Sequence, residues 1–250
     1  MRITQYFEPL GLKLCEVTPQ VLDEFQEKIL LEGYTTNTVI HYHAIFGKAF
    51  KDAVRKDYLE TNPMLKVDRP KKNSFRPNFY SKDEVQQLLE VSQDDPLHLC
   101  ILITAYYGLR RSEVLGLKWD SINFAMQTLT IRHTVARVTK VVEKNKTKNA
   151  SSFRSFPLTD DAVRLFKILL QQEQYYRNHF GRDYIDNDYV FTWEDGHPYS
   201  PDYVSHTFHK LLKKYDLPHI RFHDLRHTCA SMLLSEGYGL KDVQEWLGHS

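Results

Sequence analysis

Apolar residues recur along this chain at intervals that change from helical to strand-like and back. Val21, Leu22, Phe25, Ile29 and Leu30 follow helical spacing. Thr18-Pro19 supplies an N-cap with proline at the first helical position, and Gly33 is placed to end the helix. A second helix starts after Thr35-Thr36 and carries Val39, Ile40, Ile45, Phe46, Ala49, Phe50 and Val54 to about Tyr58. Asn62-Pro63 stops it, because the residue before a proline is pushed out of the helical region. This pair of helices leaves little room for a core of its own.

Residues 68–78 are basic, hold Pro70, Lys71, Lys72, Asn73, Ser74 and Pro77, and lack apolar periodicity, which reads as a linker. Helical spacing then resumes. Ser81 and Glu84 form a capping box ahead of Val85, Leu88 and Leu89. An apolar helix over residues 97–107 breaks at Gly108, and a short helix over 111–117 follows. Next come three segments rich in β-branched and aromatic residues at strand length, 128–131, 135–142 and 153–158. They predict a small antiparallel sheet of about three strands, with 144–150 as the connecting turn of one hairpin.

Helices return at Thr159-Asp160, which caps a helix through Leu165, Ile168 and Leu169 to about Phe180, and at Ser200-Pro201, ahead of Val204, Phe208, Leu211 and Leu212. A further helix spans 223–236 before Gly237, and the last spans 240–247 with Gly248 placed to close it. The fold class is mainly α with a small antiparallel β-sheet (α+β). A small helical domain occupies 1–70, a linker 71–78 and a larger domain 79–250. A chain of 250 residues accommodates that division.

Composition narrows the class. No apolar run approaches the roughly 20 residues that span a bilayer, and the N-terminus lacks the apolar stretch of a signal peptide. Cys15, Cys100 and Cys229 are odd in number and far apart, so free thiols and a reducing cytoplasm fit better than a disulfide framework. The net charge of +1 argues weakly against a nucleic-acid partner. The distribution points the other way: Arg137, Lys140, Lys144, Lys146, Lys148 and Arg154 are opposed within their segment only by Glu143. Such a run is either a solvated hairpin or a phosphate contact.

Four short contexts carry candidate chemistry. Arg110 follows the break at Gly108 and opens a helix, where backbone N–H groups and a planar guanidinium suit two phosphate oxygens; taken alone it reads better as a surface arginine paired with Glu113. His223 and Arg226 are three residues apart and share a helix face. There the arginine would hold charge and the histidine would exchange a proton near neutral pH. His223 and His227 also match the spacing of a zinc motif, but Asp224 stands where that motif has its glutamate base, and no third ligand is evident. His249 follows Gly248 at a helix end, and Lys146 lies in the hairpin turn, where a lysine can reach a leaving oxygen, with Lys144 and Lys148 as close competitors.

The combination is more specific than any member. Gly-Leu-Arg-Arg-Ser-Glu from Gly108, Lys-Thr-Lys-Asn-Ala-Ser-Ser-Phe-Arg from Lys146, His-Asp-Leu-Arg-His-Thr from His223 and Leu-Gly-His from Leu247 occur in that order. The whole chain resembles tyrosine recombinases, the phage integrase family, and most of all integrases of conjugative transposons and temperate phages. By that resemblance the first 70 residues are a core-binding domain without the family's first helix, and the rest is the catalytic domain.

The resemblance implies a site-specific recombinase that cuts and rejoins double-stranded DNA through a 3′-phosphotyrosine, with no metal or nucleotide cofactor. Arg110 and Arg226 would bind the non-bridging phosphate oxygens. Lys146 would protonate the departing 5′-oxygen, His223 would assist proton transfer, and His249 would hydrogen-bond the phosphate. Lys144, Lys148 and Arg154 would contact DNA. Family members work as tetramers on paired sites. One departure is expected to matter: the family's tyrosine lies about three helical turns beyond the second histidine, whereas only Ser250 follows His249. The 250 residues are therefore expected to bind DNA without cutting, as a fragment of a recombinase. The alternative is a non-catalytic DNA-binding module that occupies recombination sites as an antagonist.

Overall fold

The computed structural model describes residues 2–72, 78–132, 134–138, 140–144 and 154–248, with the backbone alone described for 134–138 and 140–144. The chain divides into two compact units, residues 1–76 and 77–250.

The first unit holds α1 (Arg2–Phe7), α2 (Pro19–Leu31) and α3 (Thr36–Arg55), followed by a single 3₁₀ turn at Pro63–Lys66. The Thr18 side chain accepts from the Val21 N–H at 3.4 Å with Pro19 in the first turn, so α2 starts where its local chemistry places it. Contrary to the expectation of little room, this unit has a core of its own. Leu22, Phe25, Ile29, Val39, Phe46, Phe50, Met64 and Val67 are buried together. Ile3, Tyr6 and Phe7 of α1 pack against them, an element that the sequence pattern did not single out. Phe25 is the hub, with edge-to-face contacts to Tyr6 at 5.1 Å, Tyr42 at 5.3 Å and Phe46 at 5.3 Å. Each such pair adds about 0.5–1.5 kcal/mol beyond its buried area, which matters in so small a unit.

The second unit begins with α4 (Lys82–Val91), whose capping box is formed as expected: the Ser81 N–H donates to Glu84 Oε2 at 2.7 Å and the Glu84 N–H donates to Ser81 Oγ at 3.3 Å. Helix α5 (His98–Tyr107) is the central element, with Leu99 to Ala105 and Tyr107 all buried. A helix apolar all round must be covered on all sides. Leu88, Phe166, Phe208 and Leu225, from α4, α7 (Asp160–Phe180), α8 (Pro201–Lys214) and α9 (Asp224–Ser235), share its core. α6 (Arg111–Val114) is a single turn, shorter than expected, and α10 (Leu240–Leu247) closes the described chain.

The sheet has the three antiparallel strands expected, but one member differs. β2 (Thr128–Ile131) lies between β1 (Ile122–Asn123) and β5 (Arg154–Pro157), all antiparallel. The segment expected as one strand, 135–142, is instead two, β3 (Thr134–Val138) and β4 (Lys140–Lys144), paired as a separate hairpin with Val138 opposite Lys140. The physical reason is that its β-branched run carries no glycine, proline or asparagine to announce the reversal. The expected turn at 144–150 begins at the end of β4 and otherwise lies outside the described residues.

Candidate active site

Three arginines from distant parts of the second unit converge on Glu113, which is 1% exposed. Arg110, at the N-cap of α6, donates Nη1–H to Glu113 Oε1 at 2.6 Å, and its backbone N–H donates to Oε2 at 2.7 Å. Arg154, on the inward face of β5, donates Nη2–H to the same Oε2 at 3.0 Å. Arg226, in the first turn of α9, brings Nη1 to 3.8 Å from it. Three guanidinium charges against one carboxylate leave two positive charges in excess.

The same guanidiniums hold the end of α10. Arg226 donates to the Leu247 carbonyl, Arg154 to the same carbonyl at 2.6 Å, and Arg110 to the Gly248 carbonyl at 3.1 Å. Unpaired carbonyls and the negative end of the helix dipole both attract cations there. Arg226 also donates to the Gly108 carbonyl at 2.6 Å. Gly108 ends α5 in the left-handed region, φ 66°, and a Cβ there would overlap Leu247 Cδ2. The glycine thus lets α5, α9 and α10 close on one point. Val243 and Leu247 of α10 pack with Cys229, while Trp246 meets Phe156 at a tilt, with ring centroids 4.9 Å apart.

Burial lowers the Arg226 guanidinium to about 10, and the neighbouring Arg110 adds to this, so it remains charged at neutral pH. Arg154 is lowered by burial as well. Arg110 is the accessible member, with its side chain 35% exposed against 7% for Arg154 and 3% for Arg226.

His223 stands at the start of α9, exposed, and lines one cleft with Arg110, Arg111, Ser205, His209 and His219. Loss of hydration around its ring, then the adjacent His227 and Arg226, push its pKa below the usual histidine value. The His223 and His227 rings meet edge to face at 5.8 Å. Asp224 anchors the start of α9 by accepting from Arg221 three times, from the backbone N–H at 2.8 Å, from Nε at 3.0 Å and from Nη2 at 2.7 Å.

The structure therefore brings Arg110 and Arg226 together and sets His223 on the same cleft as Arg110. It places Arg154, which was expected to contact DNA, inside the cluster against Glu113. Lys146, Lys148 and His249 lie outside the described residues, as does the side chain of Lys144. Glu113 as the common counter-ion was not foreseen; its only local signal is its spacing from Arg110.

A profile of the phage integrase family matches residues 78–250. The chain belongs to that family. This integrase-family chain is 28% identical over 263 residues to a tyrosine recombinase XerC-like protein of Caldanaerobacter subterraneus subsp. tengcongensis, covering 97% of the chain and 67% of that protein. It is 26% identical over 262 residues to the transposase from transposon Tn916 of Enterococcus faecalis, covering 97% of the chain and 63% of that protein. The chain thus spans about two thirds of the length of these curated relatives. The Tn1549 transposon integrase, solved in complex with a circular intermediate DNA, shares the fold with a TM-score of 0.79 at 18% identity, covering 98% of this chain and 84% of that one. No helix among the described residues is long and apolar enough to cross a membrane.

Proposed function

We propose that this chain carries the phosphate-holding and DNA-binding machinery of a site-specific DNA recombinase that acts in the cytoplasm on double-stranded DNA, as a tetramer on paired sites. The observation that carries the reading is the surplus of two positive charges where Arg110, Arg154 and Arg226 meet Glu113, at the edge of a cleft that also presents His223. A phosphate diester is an anion of the right geometry for such a cluster, since each guanidinium offers a planar fork to two oxygens.

In the proposed reaction a tyrosine oxygen bonds to phosphorus while the bond to the 5′-oxygen breaks, and attack by a 5′-hydroxyl reverses the step. Arg110 and Arg226 stabilise the extra negative charge on the non-bridging oxygens in the transition state. Arg154 keeps Glu113 and the end of α10 in place around them. His223, held largely neutral at pH 7, accepts or returns a proton. Lys146 gives a proton to the departing 5′-oxygen, His249 donates a hydrogen bond to the phosphate, and Lys144 and Lys148 neutralise flanking phosphates. The covalent link conserves the phosphoester energy, so the chemistry calls for neither metal nor nucleotide.

The test is selection of bound duplexes from a randomised pool by the 250-residue chain. A shared sequence element should emerge over successive rounds. Retention of DNA with no enriched element, or no retention at all, would remove the site-specific reading.

A further inference from the structure

A second cleft in the same unit shares no lining residue with the arginine cluster. Five carboxylates line it, those of Asp94, Asp95, Glu173, Glu194 and Asp195, and no lysine or arginine does. His98 lines it too, but burial lowers its pKa, so the ring adds no charge at neutral pH. The rest of the lining is largely aromatic and aliphatic, with Tyr176, Tyr184, Trp193 and Tyr199 beside Leu99 and Leu169. Trp193 packs edge to face on Tyr199 at 5.0 Å and remains exposed.

Glu173 is the deciding residue. Its side chain is 9% exposed, and Oε1 accepts from Arg177 Nη2 at 2.7 Å. Its other oxygen, Oε2, is buried with no hydrogen-bond partner among the described residues. A buried carboxylate oxygen left unpaired is costly, and a donor arriving through the cleft would satisfy it. Arg177 cannot serve both oxygens, because its Nη1 is engaged by Asp186 at 2.5 Å and its guanidinium lies over the Tyr184 ring at 5.1 Å. A metal ion is a poor occupant, since no group of three His, Cys, Asp or Glu side chains suited to one is found among the described residues.

We propose that this cleft binds an organic cation, an ammonium or guanidinium group on an aliphatic stem, supplied by a free polyamine or by a lysine or arginine side chain of a peptide. The cationic head donates to Glu173 Oε2 and the stem lies along Leu99 and Leu169. The aromatic lining, Trp193 and Tyr176 included, adds contacts of the kind by which aromatic walls hold alkylammonium groups.

Titration of the 250-residue chain in the absence of DNA tests this, with spermidine in one arm and a blocked tripeptide with a central arginine in the other. Isothermal calorimetry and the Trp193 indole N–H resonance give the readouts. One-to-one saturable binding in either arm, absent with a neutral diol of equal length, supports the proposal, and the stronger arm identifies the source. Glu173→Gln should weaken binding about tenfold or more, the loss of a charge-assisted hydrogen bond. Should that variant fail to fold, Glu194→Gln at the rim should weaken binding severalfold. No saturation in either arm, equal binding of the diol, or unchanged affinity in the variants would overturn the proposal.

Discussion

Replacing Glu113 by alanine isolates the cluster on which the functional reading rests. The carboxylate is 1% exposed and takes hydrogen bonds from the Arg110 backbone, the Arg110 side chain and Arg154. Its removal leaves Arg154 and Arg226 buried with no counter-ion. Removing one partner from a buried ion pair costs about 3–5 kcal/mol, because the remaining charge stays desolvated. Two of the three guanidiniums are more than 90% buried, so solvent screening offsets little of this. For a domain of this size the loss lowers the melting temperature by roughly 6–20 °C. Glu113→Gln, which keeps one acceptor, should cost about 1–3 kcal/mol. Trp119, Trp193 and Trp246, the chain's only tryptophans, all lie in the second unit, so urea unfolding followed by tryptophan fluorescence reports that unit by itself. Inorganic phosphate at constant ionic strength should stabilise Glu113→Ala more than the parent chain, since an anion can take the carboxylate's place. A loss below about 1 kcal/mol for Glu113→Ala would refute the reasoning, because it would mean that the guanidiniums were not relying on that carboxylate.

Other consequences follow from neighbouring residues. Gly108→Ala places a Cβ at φ 66° against Leu247 and should destabilise the second unit by at least about 1–3 kcal/mol, measured by the same unfolding experiment. His223 has a folded pKa below its unfolded value of about 6.5, so the unfolded chain binds more protons and His223 costs stability as pH falls below about 6.5. Unfolding free energies at pH 5 and pH 7.5 should therefore diverge less in His223→Gln than in the parent chain, and an equal divergence would contradict the assignment. Burial pushes the Cys229 thiol up to about 12 and the Cys100 thiol well above its usual value, whereas Cys15 is exposed. Iodoacetamide should accordingly modify Cys15 alone in the native chain and all three cysteines after unfolding, as read by intact mass.

Much of the helical framework was legible in the sequence because its signals are local. Thr18-Pro19, the Ser81–Glu84 box and Gly248 each act within one turn of the element they bound. The β3–β4 reversal was not, since its turn carries none of the residues that mark one. The core of the first unit was underestimated because α1 supplies aromatic side chains from a segment too short to show periodicity. In the candidate site, Arg110, His223 and Arg226 stand out in the sequence by the combination and order of their short contexts. The role of Glu113 was not, because Arg154 and Arg226 reach it from 41 and 113 positions away, respectively, and no local pattern encodes such a meeting. Arg154 was grouped with the basic run around it for the same reason. Only the register of β5 reveals that it faces inward.

The central claim, that the arginine cluster holds a DNA phosphate, is tested most directly by the salt dependence of duplex binding. Fluorescence anisotropy of the site recovered by selection, over a range of salt concentrations, gives the slope of log K against log salt. Each phosphate contact contributes a slope of about −0.9 on duplex DNA, so Arg110→Ala should bind more weakly and with a slope shallower by about one. A variant that loses affinity with an unchanged slope, or loses none, would contradict the claim.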